Sequence, residues 1–204
     1  MAFSCNRVLK ISVAGEEDSM DEKKEKKKLN NFLEICLYLF LAAALTYFIL
    51  AFVGQRTSVY GSSMYPALSD GDQLIVEKIS YRFGEPKRFD IIVFNEVEDG
   101  KEETVHYIKR VIGLPGETVN ITDGKIYIDG QELSEDYGYY LDQKEMEGYD
   151  FSEPVLIGED EYFVLGDNRN DSLDSRKIGC ISKKDIIGKA VFRIYPFQTF
   201  GGIQ

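Results

Sequence analysis

The sequence predicts a mostly β domain preceded by one N-terminal transmembrane helix. A single apolar run of membrane length covers residues 32–53, and only Glu34 and Thr46 interrupt it. Beyond this run, short stretches rich in Val, Ile, Tyr and Phe alternate with turn dipeptides, as strands do. The chain has 204 residues, of which 44% are hydrophobic and 29% charged, so it can bury one core of ordinary domain size.

The apolar run predicts an uncleaved signal-anchor. At about 1.5 Å per residue it has the length that a helix needs to cross a hydrocarbon layer of ~30 Å. A cleaved signal peptide would start near the N-terminus, whereas here about thirty mostly polar residues come first. We therefore expect a cytoplasmic segment over residues 1–31 and a span over residues 32–54.

The flanking charges predict the orientation of the span. Arg56 is the only cation close to its C-terminal end, whereas five lysines crowd its N-terminal flank: Lys23, Lys24, Lys26, Lys27 and Lys28. The positive-inside rule then keeps the N-terminus in the cytoplasm and places residues 55–204 outside, in a single-pass cell-membrane protein. We interpret the lysine run as a contact with lipid headgroups.

The outer domain is acidic and has no partner for a disulfide. Residues 55–204 carry 17 Lys and Arg against 28 Asp and Glu, which gives −11 and argues against nucleic acid as a partner. Cys5 is predicted to be cytoplasmic, Cys36 lies in the span and Cys180 is alone outside. An intrachain disulfide is therefore not expected to stabilise the domain.

Six strands are predicted after the span, at residues 74–76, 90–94, 104–112, 125–128, 162–165 and 189–195. Hairpin turns are predicted at Asp99-Gly100, Asp123-Gly124 and Asp129-Gly130. Residues 132–161 are acidic, rich in tyrosine and without clear periodicity, so we interpret them as a solvated surface insertion.

The chemistry of the outer domain depends on which base can activate a serine. Ser63 lies in a Gly-Ser-Ser turn just beyond the span, where most serines are only turn residues. Strand alternation puts Lys109 on a face with Val105, Tyr107 and Val111, and burial there would lower the pKa of the amine. A neutral amine can act as a general base, although a lysine in a strand more often reaches solvent.

A third polar segment, residues 166–176, follows the apolar strand at residues 162–165. Its hydroxyls and opposite charges are typical of a loop that supports a site. A calcium loop through Asp167, Asp171 and Asp174 is the alternative, and two arginines weigh against it.

These three segments, in this order behind a signal-anchor, resemble the bacterial type I signal peptidases of the Gram-positive-like branch. The resemblance covers residues 59–78, 107–116, 162–179 and 187–196. It implies a mostly β, signal-peptidase-like catalytic domain over residues 55–204, with a variable insertion at about residues 119–160. It also implies a membrane-bound serine endopeptidase that removes signal peptides from exported preproteins, cleaves after an Ala-x-Ala-like sequence and needs no metal or cofactor.

The resemblance implies a role for each matching residue. Ser63 matches the nucleophile, Lys109 the general base and Ser172 the hydroxyl that orients the amine. Asp174 with Arg176 matches a supporting ion pair, and Asp167 with Arg110 a second polar contact. The positions that would line pockets for small substrate side chains are Val59, Tyr60, Met64, Leu68, Tyr107 and Ile108.

The sequence departs from the family pattern at Gly61, where some members have a serine whose hydroxyl helps to hold the oxyanion. Ala67 also replaces the usual threonine. A main-chain or solvent donor would have to replace the missing hydroxyl, because one oxyanion donor is worth about 3 kcal/mol.

Other classes of protein remain open. A sortase-like transpeptidase would use Cys180, His106 and an arginine such as Arg193. A self-cleaving repressor would share the Ser-Lys chemistry but would lack the span. A non-enzymatic anchored scaffold would bind through the insertion and would need neither Ser63 nor Lys109. The sequence does not indicate an oligomeric state.

Overall fold

The computed structural model describes residues 5–48, 54–97, 104–140, 151 and 153–203 of the chain. The chain divides into two compact units, Met1–Ile49 and Leu50–Gln204. The first unit contains one long helix, and the second contains the strands. The prediction of a mostly β fold with one N-terminal apolar helix is confirmed.

Helix α1 covers Cys5–Phe48 and has 44 residues. Within the described residues it is the one helix with a part long and apolar enough to cross a membrane, namely Lys26–Phe48. The hydroxyl of Thr46 donates to the carbonyl of Ala42 at 2.9 Å, which satisfies the polar group within the apolar helix. The helix begins well before the apolar run because the upstream segment is rich in Lys, Glu and other good helix formers.

The end predicted for the span, residues 49–53, lies outside the described residues, and Gly54 already belongs to the first strand. In chain order the strands and short helices are β1 Gly54–Ser58, β2 Gln73–Glu77, α2 Ser80–Phe83, β3 Ile91–Val97, β4 Thr104–Gly113, β5 Thr118–Thr122, β6 Lys125–Ile128, β7 Gln131–Glu132, β8 Val155–Leu156, β9 Glu161–Leu165, α3 Ser175–Ile178, β10 Ile181–Ser182, β11 Ile186–Tyr195 and β12 Gly201–Gly202.

The larger sheet has the order β1-β2-β11-β3-β4-β9-β10, and β12 pairs with β11. Its neighbouring strands are antiparallel. β3 reads Ile-Ile-Val-Phe at its start, and these four residues are buried, as a continuous apolar strand in the middle of a sheet should be. β4 pairs with β3 along residues 104–110 and with β9 only from Arg110 onward.

A smaller sheet has the order β7-β6-β5-β8. The predicted Asp123-Gly124 turn joins β5 to β6, and Asp129-Gly130 joins β6 to β7. All four of these residues have positive φ, between 49° and 77°, as type I′ hairpin turns require. The third predicted turn, Asp99-Gly100, lies outside the described residues.

The apolar core of the β unit forms three clusters. One cluster lies under the smaller sheet and includes Val119, Ile121 and Phe163. A second contains Phe94, Val111 and Val164 of the larger sheet. The third packs the turn after β1 against the larger sheet through Val59, Met64, Leu68, Leu74, Ile91 and Ala190.

All six predicted strands are confirmed, each within a few residues of its predicted bounds. Two of the longer strands are not predicted. β1, Gly-Gln-Arg-Thr-Ser, has no apolar residue to mark it and forms through its pairing with β2. β5 alternates polar residues with the buried Val119 and Ile121, a pattern that is typical of a strand and is visible in the sequence.

Candidate active site

Ser63 lies in the turn that follows β1, and its neighbours are held by two aspartates. Gly61 has a φ of 86°, a conformation that glycine adopts without strain. Its N–H donates to Asp70 Oδ1 at 2.8 Å. The hydroxyl of Ser62 donates to Asp171 Oδ2 at 2.5 Å. The backbone of the serine turn is therefore tied down on both sides.

Lys109 projects from β4 and is 2% exposed. Its Nζ lies 2.8 Å from Ser63 Oγ and 3.0 Å from the carbonyl oxygen of Ile108. The pKa of this amine is lowered to about 8, mainly by burial and in smaller part by the charge of Arg176, while Asp174 and Asp167 oppose the shift. The structure therefore brings together the predicted nucleophile and base, and gives the base a pKa at which a neutral amine is accessible.

Ser172 is buried at 7% exposure, but the predicted hydrogen bond to the Lys109 amine is not formed. Within the described part of the chain, Ser172 Oγ has no hydrogen-bond partner. The amine is oriented instead by the carbonyl of Ile108. Ser172 Oγ packs against Gly166, where a Cβ would lie only 2.2 Å from it.

The two predicted ion pairs are both present and both fully buried. Arg176 binds Asp174 through two hydrogen bonds of 2.7 Å, and Arg110 binds Asp167 through bonds of 2.8 and 2.7 Å. Asp174 also accepts the N–H of Gly166 at 3.0 Å and caps α3. These pairs fix the loop after β9 beneath Lys109 without leaving a buried charge unpaired.

A cleft of about 630 Å³ opens beside Ser63 and Lys109. Four of the six predicted substrate-binding residues line it, namely Val59, Tyr60, Tyr107 and Ile108. The other two, Met64 and Leu68, are 1% and 0% exposed and belong to the core beneath. They point inward because the turn after β1 needs apolar side chains to bury against the sheet. Leu173 also lines the cleft, a residue that the sequence pattern did not indicate.

Two interpretations from the sequence lose support. Asp167 and Asp174 are each bound by an arginine and Asp171 accepts from Ser62, so the three carboxylates do not converge on one point. Among the described residues, no group of three or more His, Cys, Asp or Glu side chains could hold a metal. Burial and the charge of Glu161 raise the pKa of Cys180 to about 11, which is unfavourable for a thiolate nucleophile.

Sequence reasoning missed the residues behind the serine turn. Asn168 donates its N–H to the carbonyl of Ser63 at 3.0 Å and its side-chain amide to the carbonyl of Ser62 at 3.2 Å. Glu135 and Tyr139 contact the same loop from the other side. The interpretation of residues 132–161 as a solvated rim is therefore wrong for residues 135–140. Main-chain hydrogen bonds and one ion pair hold these residues, and such contacts leave no periodic pattern in the sequence.

Comparisons with known proteins find similar sequences over most of the chain. A family described as signal peptidase, peptidase S26, matches residues 32–195. Signal peptidase I of Bacillus licheniformis is 42% identical over 186 residues, which cover 88% of this chain and 97% of that protein. Signal peptidase I T of Bacillus subtilis is 40% identical over 90% of this chain and 95% of its own length.

A crystal structure of a signal peptidase I from Enterococcus faecalis is also similar. It is 37% identical to this chain, with a TM-score of 0.42, and the match covers 52% of this chain and 96% of that one.

The close packing around Gly166 predicts that a larger residue there would destabilise the fold. A methyl group there would lie 2.2 Å from Ser172 Oγ and 2.5 Å from the carbonyl oxygen of Ser63. Gly166→Ala should therefore lower the free energy of unfolding by about 1–3 kcal/mol, because the added methyl group would overpack the core. Denaturant unfolding measures this change. Gly202→Ala is the matched control, since its nearest contact would be at 3.9 Å. Equal stability of the two variants would contradict the packing described here.

Proposed function

This chain belongs to the signal peptidase family, peptidase S26, and on that premise we propose that it is a serine endopeptidase with a Ser63–Lys109 dyad. Its substrates are the signal peptides of exported preproteins. The observation that carries the proposal is the 2.8 Å separation between Ser63 Oγ and the buried Lys109 Nζ. Nucleophile and base within hydrogen-bond reach are what serine acyl transfer requires.

The reaction proceeds in two acyl-transfer steps. The neutral amine of Lys109 takes the Ser63 proton while Oγ attacks the scissile carbonyl carbon. The tetrahedral intermediate then collapses, the C–N bond breaks, and the ammonium gives its proton to the leaving amine. Water hydrolyses the resulting ester with Lys109 again as the base, which regenerates Ser63.

The N–H of Ser63 is the proposed main-chain donor to the oxyanion. Gly61 has no side chain to contribute, and the Ser62 hydroxyl already donates to Asp171. Among the described residues, none accepts a hydrogen bond from the Ser63 N–H. That donor is therefore available to the oxygen on which charge develops.

The cleft is suited to an extended peptide. β1 pairs with β2 on one side, and within the described strands no partner occupies its other edge. Residues 105–109 of β4 pair with β3 and lie beyond the part of β4 that β9 covers. Both of these edges line the cleft beside Ser63. A substrate strand between them would gain main-chain hydrogen bonds on both sides.

The walls of the cleft favour small substrate side chains next to the scissile bond. Val59, Tyr107, Ile108 and Leu173 supply bulky apolar surface close to Ser63. A charge buried there would lack a partner, and a ring would not fit beside these side chains. We therefore propose cleavage after an Ala-x-Ala-like sequence.

The helix Lys26–Phe48 is proposed as the membrane anchor, in contact with lipid. Lysines on its N-terminal flank favour a cytoplasmic N-terminus and an extracytoplasmic β domain. Protease added outside spheroplasts should then digest the β domain, whereas its protection would refute this orientation.

Substitution of the dyad tests the proposed function. Ser63→Ala, Lys109→Ala and Lys109→Arg should each lower the cleavage rate of a preprotein in detergent by at least about 100-fold, because guanidinium stays protonated and cannot act as a base. His106→Ala is the control and should keep most of the activity, since this side chain is exposed on the cleft wall. If His106→Ala were inactive while Lys109→Ala kept its activity, the proposed Ser63–Lys109 dyad would be wrong.

The pKa of Lys109 predicts the pH dependence. Because the protonated amine cannot accept the Ser63 proton, kcat/KM should rise about tenfold per pH unit on the acid side. The rise should level off above about pH 8, where the amine is neutral. The measurement is the initial cleavage rate from pH 5 to 10, corrected for unfolding. A profile already flat from pH 5 would contradict a titrating amine.

The specificity is tested with a peptide series. Peptides with Ala one and three residues before the scissile bond should be cleaved, and Phe or Asp at the nearer position should lower kcat/KM by about 100-fold or more, since a misfit or an unpaired buried charge is costly. Equal rates for the three peptides would exclude the proposed apolar pockets.

A further inference from the structure

Residues 135–140 lie behind the loop that supports the active site, although they belong to the segment between β7 and β8. The N–H of Tyr139 donates to the carbonyl of Asp167 at 2.7 Å, and the N–H of Arg169 donates to the carbonyl of Tyr139 at 3.0 Å. These two bonds form a parallel bridge at Tyr139 and Asn168. We call residues 135–140 the backing segment.

A buried ion pair joins the backing segment to the loop. Glu135 accepts two hydrogen bonds from the Arg169 guanidinium, one through Nη1 and one through Nη2, the latter at 2.7 Å. The Arg169 side chain is 0% exposed and that of Glu135 is 10% exposed. Arg169 also donates through Nε to the carbonyl of Gly166 at 3.1 Å. Glu135 thereby sets the position of a guanidinium that holds the loop backbone.

The same backbone holds the nucleophile from the other side. Asn168 donates to the carbonyls of both Ser62 and Ser63. Gly166 approaches the Ser63 carbonyl so closely that a Cβ would lie 2.5 Å from its oxygen. The loop at residues 166–169 is thus held between the backing segment and the serine turn, and a shift of the loop would move Ser63.

We propose that Glu135 is a positioning residue for the reaction. Acting through Arg169 and the loop at residues 166–169, it holds Ser63 at the distance from Lys109 that proton transfer requires. The inference rests on the proposed function, since it concerns the geometry of the Ser63–Lys109 dyad. A displacement of about 1 Å at reacting atoms can cost about 100-fold in rate, so a residue with no substrate contact can affect kcat strongly.

Glu135→Gln keeps the shape of the side chain and removes its charge, so the buried Arg169 loses the carboxylate that pairs with it. We expect kcat per active site to fall by about 10- to 100-fold with KM nearly unchanged, because the cleft itself is intact. Glu132→Gln is the matched control. Glu132 forms an ion pair with Lys125 in the smaller sheet, and both side chains are about half exposed, Glu132 at 54% and Lys125 at 51%.

A double variant separates positioning from loss of folding. Glu135→Met with Arg169→Met removes both buried charges, so its stability should return close to that of the wild type, as apolar replacement of a buried ion pair often allows. Its kcat should stay low, because the bond from Arg169 to Gly166 is also gone.

The experiment measures preprotein cleavage by the full chain in detergent, with the active fraction titrated by a serine-acylating inhibitor and folding followed by thermal unfolding. Wild-type protein that cleaves no preprotein would sink the proposed function and this inference with it. An active wild type with Glu135→Gln at full kcat per active site would sink only the inference. Recovery of kcat in the double variant, or a rise in KM alone, would also overturn it.

Discussion

The active site depends on burying one amine beside one hydroxyl. Lys109 is among the largest fully buried side chains of the described residues, and its Nζ contacts Ser63 Oγ. Burial is the main cause of its lowered pKa of about 8, and the nearby carboxylates of Asp174 and Asp167 oppose that shift. Arg110 and Arg176 balance the charge of these carboxylates, because each forms a two-bond pair with Asp167 or Asp174. The surroundings of the amine are therefore close to neutral, and burial dominates.

The polar groups around the amine are held by a loop that has little apolar packing of its own. Gly166, Asn168 and Arg169 have their backbone groups bonded to Asp174, the serine turn and the backing segment. Such a network is stable only when each charge is paired, since one unpaired buried charge costs more than the pair contributes. Burial of the three apolar clusters contributes the folding free energy that offsets the cost of burying these polar groups.

The sequence predicts the parts of this structure that have local signals. Hairpin turns follow from Asp-Gly dipeptides. Strand alternation places Lys109 on a face with apolar residues but leaves its burial open, and the structure shows that the side chain is buried. β1 has no apolar pattern, so its role as one wall of the cleft emerges only from its pairing with β2. Position along the chain predicts Met64 and Leu68 in the cleft, whereas burial of the turn places them in the core. Glu135 meets Arg169 across 34 residues, a contact that no local pattern encodes.

The titration of the Lys109 amine tests this account most directly. NMR of the full chain in detergent can follow lysine side-chain signals with pH, and the signal lost in Lys109→Arg identifies this residue. We expect a midpoint at about 8. A midpoint at the ordinary lysine value of 10.5 would mean that the amine is solvated and charged, and would contradict its role as the base.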